Sequence, residues 1–292
     1  MERDLFLRIR TELAGIPGAG GPRGCLYSDA WIAEVYFWSV IHDRPVSWAC
    51  RARNWPREWR RRAIPSQSRM SRRMKTASVR ALIEQVDRRV ARVRGEEQLV
   101  SVVDGKPLTV GNHSRDPHAA WGRGAGGKAK GYKLHALIAL AGGLVGWRVA
   151  PLNIAEPEMA RRMLRDARCP GYVLGDKNYD TNTLHDEALR HGGQLVAPRR
   201  RGADKGLGHH RHSPGRLRCR DLLENTQSDF GRELHRRRTD IERRFGYLVS
   251  TAGLLGPLPA WVRTYPRVRL WVQAKLILAA LRPALRSQCS AA

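Results

Sequence analysis

At Leu99 the hydrophobic period of this 292-residue chain changes, and the change limits what each part can become. Before it, apolar residues recur at helical spacing. Val79, Leu82, Ile83, Val86, Val90 and Val93 fall on one stripe that stops at Gly95. After it come apolar runs of strand length: LVSVV (99–103), YKLHALIAL (132–140), LVGWRVA (144–150), YVLG (172–175) and QLVA (194–197). Helix-length segments separate the later runs. The reading is a helical region over 1–95 and a mixed α/β region over 96–292.

Within the first region, a helix is expected over Asp29–Ile41, after the Gly/Pro-rich GIPGAGGPRG (15–24). Pro45 permits a new start. Ser66 is placed to cap a short helix over about Gln67–Lys75, and a further helix runs over about Val79–Arg94. In the second region, Ala141-Gly142-Gly143 between two apolar runs predicts a hairpin. Pro157 opens a helix to about Arg168, residues 181–191 form another, and helices over about Asn225–Val249 and Arg267–Leu281 close the chain. WGRGAGGKAKG (121–131) reads as a loop, and the basic stretch 199–220 as a loop or a disordered DNA-contacting insert.

Lys and Arg number 53 against 27 Asp and Glu, a formal charge of +26, while hydrophobic residues make up 42%. Enough apolar residues are present for a folded core, so the charge speaks of partners rather than of disorder. Arg carries most of it, and its planar fork suits phosphate, which points to nucleic acid. Five scattered cysteines, with no C-x-x-C pair, suggest neither a disulfide framework nor a standard zinc site, and they fit a reducing cytoplasm. MERDLFLRIR lacks the apolar stretch of a signal peptide. LWVQAKLILAAL (270–281) is too short to cross a bilayer and reads as a core helix, so no membrane association is expected.

Three acidic residues carry the candidate chemistry. Asp104 ends the run LVSVVDGK, Asp176 ends YVLGDKNYD, and Glu242 lies on the Arg-rich helical segment HRRRTDIERRFGYL (235–248). The element order β–β–β–α–β–α–β–α is that of a ribonuclease H-like mixed sheet with flanking helices, preceded here by an all-α, helix-turn-helix-like region. In that order, two strand-end carboxylates and one helix carboxylate converge at the edge where open α/β sheets bind ligands. Oxygen ligands suit Mg²⁺ or Mn²⁺, and two such ions serve in-line displacement at phosphorus. Each residue also has a plainer reading. Asp104-Gly105 is a common turn pair, Asp176 could sit in a turn, and Glu242 could pair with Arg238 one helical turn away. Asp180 is expected to cap the following helix.

Residues 51–75 hold ten Arg or Lys against Glu58 alone, interleaved by Trp55 and Trp59. With a helix on either side, Gln67, Ser68, Arg69, Arg72 and Arg73 could form a recognition helix reading double-stranded DNA. A solvated basic helix with only non-specific attraction is the competing reading. Lys128, Lys130 and Lys133 surround the Gly-rich loop, where backbone could approach phosphate. The loop matches neither a P-loop nor a dinucleotide fingerprint, so no nucleotide cofactor is implied. His209, His210 and His212 with Cys219 fit no standard zinc spacing.

VVDGKPL (102–108), KGYKLHALIAL (130–140), LGDKNYDT (174–181) and RTDIERRFGYL (238–248) carry a family resemblance. Residues 99 to about 285 resemble the catalytic domain of bacterial insertion-sequence transposases of the Asp-Asp-Glu class, in the branch named for insertion sequences four and five. Arg238 matches the Arg four residues before that family's catalytic Glu. His235 and Val249 stand where the family often has Tyr and Lys. The resemblance implies that Asp104, Asp176 and Glu242 are catalytic metal ligands. It implies cleavage at transposon terminal inverted repeats and strand transfer into target DNA, without a covalent protein–DNA intermediate. Pairing two ends implies at least a homodimer. The departures leave a second reading, a degenerate DNA-binding descendant; a nuclease of this fold without strand transfer is a third.

Overall fold

The computed structural model describes the chain except residues 1, 22–23, 61, 112, 125, 141, 201–211, 226, 248–254 and 290–292, and the side chains of 241, 242, 244, 245 and 283–289. The chain divides into two compact units, Met1–Ala91 with Leu270–Ala292, and Arg92–Arg269. The final helix from Leu270 onward thus groups with the N-terminal residues, whereas the sequence reading kept 96–292 together.

The first unit is helical: α1 (Glu2–Ala14), α2 (Asp29–Ile41), α3 (Val46–Ala49), α4 (Gln67–Arg73) and α5 (Ala77–Val86). Helix α1 was not foreseen; its Leu5, Phe6, Ile9 and Leu13 are buried. Helix α2 is buried along nearly its whole length, and Ser28 caps it by accepting from the Trp31 amide. Ser66 caps α4 in the same way, through the Arg69 amide. Trp55 and Trp59, read as aromatics interleaved in a basic DNA-facing run, are core residues instead. Trp55 stacks on Trp38 at 5.0 Å, and Phe6 meets Trp38, Trp55 and Trp59 within 5.5 Å. Large rings bury far more apolar area than a surface position can use, so they win the interior. From Leu270, the last helix supplies buried Val272, Ala274, Leu276, Ile277 and Leu278. Its two polar members are satisfied there: Gln273 donates to Glu84 at 2.7 Å, and Lys275 pairs with Asp43.

The second unit runs β1 (Val100–Thr109), β2 (Ala120–Gly124), β3 (Gly127–Ala139), β4 (Leu144–Pro151), α6 (Glu156–Ala167), β5 (Tyr172–Leu174), α7 (Asn182–Arg190), β6 (Gln194–Val196), α8 (Pro214–Glu224), α9 (Phe230–Arg236) and α10 (Thr239–Gly246). Helix α11 (Tyr265–Cys289) begins here and passes into the first unit. The sheet order is β2-β3-β1-β5-β6, with β4 also on β3. β1 pairs antiparallel with β3 and parallel with β5, so the sheet is mixed and consistent with a ribonuclease H-like fold. The predicted hairpin of β3 and β4 forms, with Gly142 and Gly143 at positive φ.

Three local expectations change. Where a loop was expected over 121–131, Ala120–Gly124 and the start of β3 from Gly127 pair as a β2–β3 ribbon. The basic stretch 199–220 contains α8 from Pro214 onward. The single late helix over Asn225–Val249 is instead broken into α9 and α10 around Arg237–Arg238. The core lies under α6 and α7, where Val103, Leu137, Met163, Leu164, Val173, Leu184 and Leu195 pack together.

At Gly131 β3 has no room for a side chain beside β1: a Cβ there would run into the Leu108 carbonyl. Gly131→Ala is therefore expected to lower stability by about 1–3 kcal/mol, as overpacking does. Gly126, whose added Cβ would meet nothing within 4 Å, provides the control. Urea midpoints of the two variants check this.

Candidate active site

Asp104 is not at a strand end. It lies in the middle of β1, opposite Ala136 of β3, and two residues past the last parallel pair, Val102 with Leu174 of β5. The shorter β5 stops early, which opens a notch beside Asp104. Asp176 follows β5 by two residues and caps a short 3-10 turn, accepting from the Asn178 amide at 2.8 Å. Glu242 is on α10, which packs against β1; its side chain lies outside the described residues.

The carboxylates feel one another. Burial pushes the Asp104 carboxyl up to about 6; the Gly105 amide bond opposes this, and the negative charges of Glu156 and Asp176 add to it. Arg238 acts in the other direction on the same group. The Tyr179 hydroxyl, fully buried, is also held well above its ordinary range, first by burial and then by Glu156, Asp104 and Asp176. Among the described residues its oxygen has no hydrogen-bond partner. Crowded carboxylates beside a buried hydroxyl form an electronegative site that a hard cation suits. Among the described residues, no three His, Cys, Asp or Glu side chains stand close enough to hold a metal; the Glu242 carboxylate is not among them.

Glu156 and Tyr179 were not singled out from sequence. A carboxylate in the first turn of a helix reads as a dipole partner, and Glu156 occupies that position in α6. No local pattern marks Tyr179. Lys133, read as a phosphate contact, is turned inward and pairs with Glu156, leaving about a tenth of its side chain exposed (10%). Gly105 leaves room for that pair: a Cβ there would approach Lys133 Cδ to 2.8 Å and Glu156 Oε1 to 3.2 Å.

His235 is tied to this site. Its Nε2–H donates to the Gly175 carbonyl at 3.1 Å, directly before Asp176, so α9 braces the turn that carries the second Asp. Val249 lies outside the described residues. Asp180 does not cap α7, whose cap is Thr181. It is buried, accepts Arg216 Nε and Nη2 at 2.6 and 2.7 Å, and accepts the Arg200 amide at 3.1 Å. Burial would raise its carboxyl, but the His185 ring, then Arg216 and the Arg200 amide, hold it well below the ordinary range.

The remaining predicted contacts are spread over both units. Gln67, Ser68, Arg69 and Arg72 are exposed on α4. Arg73 is not free, because it pairs with buried Asp29. Lys130 Nζ donates to the Ser114 carbonyl at 2.7 Å. Cys219 is buried and bonds the Ala197 backbone, and His209 and His210 lie outside the described residues.

Residues 95–255, more than half the chain, match the family described as the transposase DDE domain. The chain belongs to that family of DNA-acting transposases, which typically use divalent metal ions. No curated protein and no solved structure matches the chain. No helix among the described residues is long and apolar enough to cross a membrane.

Two outcomes follow from the geometry. Because the folded Asp104 value of about 6 lies above the ordinary 3.8, the charged form is disfavoured on folding. Stability is whole below pH 3.8 and falls as pH rises towards 6. In EDTA, Asp104→Asn is expected to stabilise the protein by about 2 kcal/mol at pH 7, allowing for partial solvent screening, and by little at pH 4. Urea melts at the two pH values measure this. Lys133→Met, which strands Glu156 beside Asp104, is expected to cost about 3 kcal/mol. Adding Glu156→Leu should recover part of that loss in a double-mutant cycle.

Proposed function

We propose that this protein is an active transposase that cuts at the ends of its element and joins the freed 3′-hydroxyl to target DNA. Asp104, Asp176 and Glu242 would hold a pair of Mg²⁺ or Mn²⁺ ions. The observation that carries the reading is the position of Asp104: half-buried, raised to about 6, and beside the Asp176 turn, in a segment that matches the transposase family over 95–255. A protein gains no stability from such crowding, and strain of this kind concentrates at functional sites.

The bound ions would polarise the attacking and leaving oxygens of an in-line displacement. The chain's own residues do the positioning. β1 fixes Asp104 by its pairing with Ala136 of β3, two residues beyond the last pair with β5, and the His235–Gly175 bond steadies the Asp176 turn. Arg238 supplies a compensating positive charge next to Asp104. With His235 making this contact, the absence of Tyr there is compatible with activity.

The four motif segments support the branch of insertion sequences four and five. We assign the exposed α4 residues Gln67, Ser68, Arg69 and Arg72 to recognition of the terminal inverted repeats, in a helix-turn-helix-like role. Synapsis of two ends requires at least a homodimer.

Mn²⁺- and Mg²⁺-dependent nicking of DNA from the flanks of the gene tests the assignment. Wild type is expected to cut at one boundary. Asp104→Asn, Asp176→Asn and Glu242→Gln should each lose cutting by at least 100-fold, as expected when groups that stabilise the transition state are removed, while still binding DNA. Loss of binding along with cutting in Asp176→Asn would sink the catalytic role. Cutting without joining would instead identify a nuclease. Separately, Arg69→Ala with Arg72→Ala should erase the preference for end DNA over random DNA; an unchanged preference removes α4 from recognition.

A further inference from the structure

The β2–β3 ribbon has a use that the active-site reading does not absorb. In its antiparallel register Trp121 lies opposite Lys130 and Arg123 opposite Lys128, so all four side chains share one face of the ribbon. On that face Trp121 is 47% exposed, and Arg123 and Lys128 are exposed as well. The Lys128 ammonium lies 5.7 Å from the centre of the Trp121 ring. A large indole left in solvent with cations around it has no folding rationale, because burying it would gain stability.

The opposite face explains why the indole is not buried. At Gly122 a Cβ would come within 2.5 Å of the Leu152 carbonyl, and at Gly124 within 2.9 Å of Ala129 Cβ. Gly122 lets that face sit tightly against Leu152, and Gly124 lets the two strands of the ribbon close on each other, which leaves Trp121 and Arg123 on the outward face. The base of the ribbon is fixed too. Lys130 holds the Ser114 carbonyl, and buried Asp116 accepts the Tyr132 hydroxyl at 2.8 Å and the Thr264 amide at 2.9 Å. The base of the ribbon is therefore held in place by the unit beneath it.

We propose that this face is a docking surface for DNA, with Arg123 and Lys128 on the backbone phosphates and Trp121 stacked on an unpaired base. An aromatic ring flanked by cations is the combination that holds single-stranded nucleic acid. The proposal rests on the transposase reading for its choice of DNA, and the register says where on the DNA it acts. Lys128, Lys130 and Ala136 are even-numbered along uninterrupted β3, and Ala136 pairs with Asp104. The ribbon cations thus belong to the same sheet face as Asp104, about 20–26 Å further along the strand at about 3.3 Å per residue. At about 3.4 Å per nucleotide, that is about six to eight positions from the phosphate at Asp104.

The test uses the full chain in EDTA, so that binding is read without cleavage. The probes are a random-sequence 30-base-pair duplex and the same duplex carrying a six-nucleotide single-stranded gap. Arg123→Gln with Lys128→Gln is expected to flatten the slope of log affinity against log salt by about two on the intact duplex, one for each phosphate no longer neutralised. Trp121→Ala should weaken binding to the gapped probe about tenfold more than to the intact duplex, and Trp121→Phe should restore most of it. An unchanged slope in the double variant, or equal losses by Trp121→Ala on both probes, overturns the proposal while wild-type binding leaves the transposase reading standing. Failure of wild type to bind either probe would overturn both.

Discussion

Pairing Asp104 with Ala136 places a charged side chain in the middle of a ten-residue strand, where an apolar residue would cost less. The sheet tolerates it because β5, the parallel neighbour of β1, ends at Leu174 and leaves the position half open. From that one arrangement the rest follows. The Asp176 turn begins where β5 stops, α10 packs on β1, and the first turn of α6 brings Glu156 close enough to raise Asp104 further. The unit accepts local electrostatic cost at this notch and recovers stability from the apolar cluster beneath α6 and α7.

Ion pairs in this protein follow one pattern. The buried acids Asp29, Asp180 and Glu187 each hold Arg, so they are neutralised and structural. Asp180 shows the contrast best. It lies four residues from Asp176 and is buried, yet its carboxyl is held low by His185 and Arg216, whereas Asp104 is pushed up. A carboxylate already satisfied by a guanidinium has little to offer a metal. One left among other carboxylates has a great deal.

The same pattern narrows the basic surface. A formal charge of +26 suggests cations everywhere free to meet phosphate, but some are engaged by the protein's own rings and carboxylates. Arg62 lies 3.8 Å over the Trp31 ring and pairs with Glu34, Arg73 with Asp29, and Lys133 with Glu156.

Much of the architecture was legible in the sequence because it depends on neighbours in the chain. Helical stripes, strand-length runs, the Ser66 cap, the Gly142-Gly143 hairpin and the order of Asp104, Asp176 and Glu242 are all local patterns. Local pattern misled where glycines and basic residues imitated a loop, as at 121–131, and where aromatic residues among arginines imitated a DNA-binding surface, as at Trp55 and Trp59. What tertiary structure alone decided was which charges meet. Glu156 beside Asp104, Tyr179 beneath the carboxylates, His235 on the Gly175 carbonyl and Trp121 facing outward all depend on register and packing between segments far apart in sequence. Side-chain period fixes the face a residue occupies within its own element, but the partner across that face is chosen only when the elements dock.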